Sequence, residues 1–230
     1  MNRFTAPSIP EIFKQLDELK PLPFEQLKRE LPGPIVAGRE QMGMIFGGLV
    51  AEGFLIVACE RRNSVEELGR TLLRQARSLG VGERVMRHSA SLTELGRRGD
   101  WAAMREELIA TQAEVEQAMV ELRDQKMAHL ISLGGWIRGL EISAGAVEDN
   151  YTPARARVLV QPDLAEYFAE EIKTLPPALA KNPLFEKLRQ GVNDIRATLD
   201  KTGPEGPSLE DVKSIHSRTR ELNLTLRRAG

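Results

Sequence analysis

The stretch MGMIFGGLVAEGFLIVAC, residues 42–59, contains one charged residue, Glu52, among its eighteen positions. As a helix it would be about 27 Å long, slightly less than the roughly 30 Å hydrocarbon core of a bilayer. The insertion free energies of its apolar residues and of the central acid nearly cancel, and the sequence offers no second span. We therefore expect no transmembrane segment and interpret the stretch as a buried core helix.

Small residues in this stretch favour a central position in a helical fold. Gly43, Gly47 and Ala51 are spaced by four, so they form a flat helix face on which another backbone can approach closely. The other apolar, glycine-rich segment is 127–149. The sequence predicts that helices 39–59 and 127–149 lie together at the centre of the fold.

Capping signals predict helices along nearly the whole chain. Ser8, Ser64 and Ser208 are each followed three residues later by Glu or Asp, a pattern typical of a helix start. Convincing strand pairs are missing, and only 5% of the residues are aromatic. The sequence therefore predicts an all-α fold, a multi-helix bundle of about eight to ten helices that form antiparallel hairpins around the two central helices.

Glycines punctuate the middle of the chain. Gly99 predicts a helix end and Asp100 an immediate new start, which together imply a tight antiparallel connection. The Leu-Gly-Gly sequence at 133–135 is expected to kink or end the helix that starts near Trp101.

The C-terminal region is expected to be a separate helical element. Thr202 to Pro207 reads TGPEGP and is the one linker-like stretch. We expect an all-helical domain at 1–202, a linker at 203–207 and an amphipathic helix at 208–230 that packs back on the domain or on a partner. The apolar stripe of this helix is a candidate interaction surface and consists of Val212, Ile215, Leu222 and Leu226.

Glu52 needs a partner if its helix is buried. An uncompensated charge in a core costs several kcal/mol, so the carboxylate must be paired, hydrogen-bonded or protonated. The helix at 127–149 carries Arg138, which offers a permanent positive charge. We expect a buried Glu52–Arg138 ion pair with a structural role, and a catalytic acid is the alternative.

Familiar catalytic and cofactor signatures are missing from the sequence. The three histidines lack Glu-x-x-His spacing, and no H-E-x-x-H, P-loop or Rossmann pattern occurs. The single cysteine, Cys59, reads as a small core residue. We expect no metal and no cofactor. The net charge of −1 gives no reason to expect nucleic-acid binding.

Charge is unevenly distributed along the chain. Residues 61–105 hold ten basic and five acidic residues, net +5, whereas residues 106–149 hold three basic and nine acidic residues, net −6. The basic side chains could form a face for phosphate or an acidic partner, or they could be solvated and pair with glutamates across the bundle. This candidate interaction surface consists of Arg70, Arg74, Arg77, Arg84 and Arg87.

A polar and aromatic cluster follows the second central helix. Asp149, Asn150 and Tyr151 lie at a helix junction, where side chains can converge on a ligand. The alternative is a capped turn in which the two polar residues satisfy backbone groups and Tyr151 packs.

The sequence favours a non-catalytic helical interaction or scaffold protein whose partner is another protein or a second copy of itself. The alternative is a small-molecule-binding protein or enzyme with a pocket between the central helices, lined by Glu52, Arg138, Asp149 and Tyr151. An enzyme is the less favoured of the two.

The N-terminal sequence shows no apolar signal region, so we expect a cytoplasmic protein, or a periplasmic one if a leader was removed. Arginine outnumbers lysine 23 to 9, which hints at a GC-rich bacterial genome.

Overall fold

Helices account for the regular structure of the protein. The computed structural model describes residues 9–33 and 38–228 and contains no strand within them. Nine helices in these ranges have ten or more residues and three have four, which confirms the predicted all-α multi-helix bundle. They are α1 (Ile9–Glu18), α2 (Phe24–Leu27), α3 (Arg39–Ala58), α4 (Arg62–Ser78), α5 (Gly82–Arg98), α6 (Trp101–Glu121), α7 (Gln125–Asp149), α8 (Pro153–Ala156), α9 (Pro162–Lys173), α10 (Pro177–Ala180), α11 (Pro183–Asp200) and α12 (Leu209–Arg228).

The helices α3 and α7 touch through their glycines. A Cβ atom added at Gly47 would lie 1.8 Å from the carbonyl oxygen of Ile131, and one added at Gly134 would lie 2.0 Å from the carbonyl oxygen of Met44. Both obstacles are backbone atoms, so these positions require glycine. The two apolar helices therefore approach each other more closely than larger residues would permit.

The other long helices cover α3 and α7 from two sides. On one side α4 and α6 contact α3, and α5 contacts both α4 and α6. On the other side α12 lies mainly on α7, and α11 packs against α12 and α9. The apolar side chains between these layers, such as Leu68, Leu108 and Ile195, are buried.

Tight turns with one left-handed residue connect the five consecutive helices α3 to α7. Gly99 has φ +70°, and the amide of Asp100 donates to the carbonyl oxygen of Leu95 at 3.1 Å. The Asp100 carboxylate then accepts from the amide of Ala103 at 3.1 Å and caps α6. The predicted helix end and start at this site are confirmed. The left-handed residues of the other three turns are Glu60, Gly80 and Arg123.

The predicted start of α4 at Ser64 is wrong. α4 begins at Arg62, because Glu60, with φ +56°, reverses the chain directly after α3 and the helix resumes before Ser64 is reached. The predicted start at Ser8 lies outside the described residues.

The predicted helix end at 133–135 is also wrong. α7 continues through these residues, and the chain reverses earlier, at Arg123. Gly134 serves the close contact with α3, and a buried helix tolerates glycine where packing offsets its low helix propensity.

The C-terminal helix packs back on the same chain. The amide of Ser208 donates to Asp211 Oδ2 at 3.0 Å and the amide of Asp211 donates to Ser208 Oγ at 3.2 Å, which is the predicted reciprocal cap. Of the two expected arrangements, packing back on the domain is the one observed, because α7 and α11 cover the apolar stripe, and the assignment of the stripe to an exposed interaction surface is corrected. The four stripe residues, each at most 3% exposed, are Val212, Ile215, Leu222 and Leu226.

One helix of the described residues, α3, is long and apolar enough to cross a membrane. Its most apolar 18-residue window has a mean hydropathy of 1.6, and 89% of that window is buried inside the fold. This burial is compatible with a soluble protein.

We predict that Gly134→Ala lowers the free energy of unfolding by about 3 kcal/mol, because the added methyl group overlaps backbone atoms of α3. The matched control on the same helix is Gly139→Ala, where a Cβ meets no atom within 4 Å. It should stabilise the protein by up to about 1 kcal/mol through helix propensity. Denaturant unfolding measures both, and similar midpoints for the two variants would contradict the close contact.

Candidate functional site

The predicted Glu52–Arg138 ion pair forms between α3 and α7. Arg138 donates from Nε and Nη2 to Glu52 Oε2, at 2.9 and 2.6 Å. Glu52 is 4% exposed and Arg138 is 3% exposed, so the pair lies in the core. The expected contact is confirmed.

Glu141 extends this pair into a network. Its Oε2 lies 3.0 Å from Arg138 Nη1 and accepts from Asn223 Nδ2 at 2.7 Å. Its Oε1 accepts from the guanidinium of Arg29, whose Nε lies 3.0 Å away. The backbone amide of Arg29 donates to Glu52 Oε1 at 3.0 Å. Every oxygen of the two carboxylates therefore has a partner, and the network joins α3, α7, α12 and the segment after α2.

The network is neutral as a unit, because two carboxylates face the two guanidinium groups of Arg29 and Arg138. Arg138 also donates to the carbonyl oxygen of Leu27, which holds the C-terminal end of α2 in place. Sequence reasoning missed Arg29 and Asn223. No sequence pattern around Arg29 indicated that its side chain would be part of the core. Asn223 could not be assigned to the network because the sequence does not show which helix its own helix packs against.

A cleft of about 50 Å³ opens beside the network, between α3, α12 and residues 29–32. Glu52 and Arg138 line it together with Asn223. The volume corresponds to roughly three to five water molecules at 10–15 Å³ each. The cleft is therefore too small for a cofactor-sized ligand.

Asp149, Asn150 and Tyr151 lie away from this cleft. Asp149 follows Arg138 by eleven residues on the same helix, so the two are about 16 Å apart. Both polar residues are exposed, and the Tyr151 hydroxyl donates to the carbonyl oxygen of Pro207 at 3.1 Å. The expectation of one pocket lined by Glu52, Arg138, Asp149 and Tyr151 is therefore wrong.

Tyr151 instead anchors the predicted linker. Pro207 is buried, and the amide of Gly206 donates to the carbonyl oxygen of Gly203 at 2.9 Å. Arg157 Nη2 also lies 3.5 Å from the Glu205 carboxylate. Residues 203–207 thus form an ordered turn that delivers the chain to α12.

The candidate arginine face pairs in part across the bundle. Arg84 contacts Glu114 at 2.8 Å and also Glu121, and these contacts raise the pKa of Arg84. Arg74 Nη2 donates to the carbonyl oxygen of Pro32 at 2.7 Å. Arg70 lies 3.4 Å from Glu66 within its own helix. All five arginines of this face are exposed, namely Arg70, Arg74, Arg77, Arg84 and Arg87.

An open groove of about 480 Å³ lies at one end of this face, between the α4–α5 turn and the C-terminal end of α6. Met86 and Leu122 line the groove and are 51% and 57% exposed. A single exposed apolar side chain is common on a protein surface, but neighbouring exposed apolar side chains such as these two mark interaction sites.

The three histidines each contact a glutamate of another helix. His88 Nδ1 lies 2.5 Å from Glu107 Oε1, and His216 Nδ1 lies 2.6 Å from Glu148 Oε2. The third contact, His129 to Glu171, is longer, at 3.8 Å. Within the part of the chain that the structure describes, no group of three potential metal-binding side chains occurs.

Cys59 and Tyr167 are half-buried. Burial raises the pKa of the Cys59 thiol, which favours its neutral, less nucleophilic form. Burial, with the nearby charge of Glu171, raises the pKa of Tyr167 to about 12, and the Tyr167 hydroxyl contacts His129 Nδ1 at 2.5 Å. Both residues therefore remain neutral at physiological pH.

The chain matches no family model, no curated protein and no solved structure.

We predict that Glu52→Gln lowers the free energy of unfolding by about 3–5 kcal/mol, because Arg138 loses one of its two carboxylate partners and the buried network keeps two guanidinium groups against one carboxylate. Arg138→Met should also destabilise the protein. The double variant should lose less free energy of unfolding than the two single variants lose together. Denaturant unfolding of all four proteins measures this coupling. The control cycle uses Arg84→Met and Glu114→Gln, an exposed pair whose removal should barely move the midpoint. Equal behaviour of the two cycles would contradict a core ion pair.

Proposed function

We propose that the protein is a non-catalytic helical interaction protein that associates with a second copy of itself through the groove. The supporting observation is the exposure of Met86 and Leu122 in one concave surface. Most other large apolar side chains in the described part of the chain are buried, so these two gain most from being covered by another protein surface.

The charges around the groove favour a second copy over a strongly charged partner. Its lining contains two arginines and two glutamates, so it is neutral overall. In a two-fold symmetric dimer the same patch faces itself, and a patch with both signs can place each charge opposite its complement. The four charged lining residues are Arg77, Glu83, Arg84 and Glu121.

The rigidity of the surroundings also supports an interface. The groove is formed by the ordered α4–α5 turn, with Gly80 at φ +83°, and by the end of α6, which Arg84 ties to α5 through Glu114 and Glu121. A surface that is already ordered loses little conformational entropy on binding.

We predict that the double variant Met86→Ser/Leu122→Ser weakens self-association at least tenfold, because it removes the apolar area that the dimer would bury. Analytical ultracentrifugation over a concentration series measures the dissociation constant. The matched control is Val160→Ser/Leu209→Ser, which removes two apolar side chains that are each 37% exposed elsewhere on the surface.

The control should associate like the wild type. A wild-type protein that stays monomeric up to high micromolar concentration would overturn the proposal, as would equal weakening by the two double variants.

A further inference from the structure

The cleft beside the buried network contains a cation for which the described residues supply no ion-paired carboxylate. The Arg227 guanidinium, on the last turn of α12, lines the cleft, and Nη2 donates to the backbone carbonyl of Glu30 at 2.7 Å. No carboxylate among the described residues forms an ion pair with it, since Glu52 and Glu141 are taken by Arg29 and Arg138.

This leaves the buried end of the cleft positive. Three guanidinium groups face two buried carboxylates, and the remaining acid at the cleft, Glu30, is exposed to solvent. Burial lowers the pKa of Arg227, and the charges of Arg29 and Arg138 lower it further, while those of Glu52 and Glu30 offset only part of this. A half-buried arginine held near another cation is stabilised by an anion at its free donors.

The walls of the cleft are apolar. Its apolar lining consists of Met44, Ile45 and Leu49 from α3, Leu226 from α12, and Leu31 and Pro32. A ligand here needs one anionic group for Arg227 and a short apolar part for these walls. The volume of about 50 Å³ limits it to a few non-hydrogen atoms.

We infer that the cleft binds a small aliphatic monocarboxylate of about two to four carbons, with its carboxylate on Arg227 and its alkyl chain between α3 and α12. A guanidinium suits a carboxylate because two N–H groups can donate in parallel to its two oxygens. The cleft shares no lining residue with the groove, so this site stands apart from the proposed dimer interface.

Two variants separate ligand binding from folding. Arg227→Gln removes the charge, with Arg220→Gln as its control, since Arg220 is an exposed arginine on the same helix. Gly48→Ala adds a methyl group to the cleft wall, where the nearest atom to a new Cβ is 3.7 Å away. Gly48→Ala should therefore fold at least as stably as the wild type and leave less room for a ligand.

The test is a thermal-shift titration at constant ionic strength with sodium acetate, propionate, butyrate and octanoate, with sodium chloride and 1-butanol as controls. At about ten times its dissociation constant, the best short acid should raise the Tm of the wild type and of Arg220→Gln by roughly 3–6 °C. Both Arg227→Gln and Gly48→Ala should lose most of this shift.

The inference is overturned if chloride or 1-butanol gives the same shift as the short acids, if octanoate gives the largest shift, or if Gly48→Ala responds like the wild type. The absence of any shift with the short acids would also overturn it.

Discussion

The backbone contact between α3 and α7 is the constraint on which the rest of the fold depends. Gly47 and Gly134 each leave no room for a methyl group, so the two helices meet at the distance of backbone atoms. This proximity brings Glu52 of α3 within hydrogen-bond reach of Arg138 on α7. The surrounding helices then cover a tightly packed axis, and Arg29, from the segment after α2, completes the charge balance of its buried network.

The buried network turns that axis into a connection between distant parts of the chain. Arg29 and Asn223 lie 194 positions apart in sequence and meet on the same carboxylate, that of Glu141. Breaking a buried ion pair is costly, so the network holds α12 and the segment after α2 in a defined position. The cleft exists because these two segments meet α3 beside the network, and Arg227 is the cation left over.

The sequence predicted what local pattern and simple electrostatics determine. A carboxylate in an apolar helix needs a cation, and Arg138 on the second apolar helix was identified on that ground. The stop at Gly99 and the cap at Asp100 were predicted because they depend on residues adjacent in sequence. By contrast, the apolar stripe of α12 has the same sequence pattern whether α7 or another protein covers it. The sequence alone therefore could not predict which surface buries it. Asp149 and Tyr151 were predicted to share a pocket with Arg138 because all three are polar or aromatic. Asp149 lies eleven residues after Arg138 on the same helix, which places the two too far apart to line one small pocket.

Native-state hydrogen exchange tests the central claim most directly. If α3 and α7 form the axis of the fold, the amides of residues 44–56 and 131–146 should exchange only through global unfolding, with protection equal to the full free energy of unfolding. The amides of α5 should exchange through smaller openings, because it contacts neither central helix extensively. Exchange of the α3 amides by local opening, at free energies equal to or below those of α5, would contradict the account.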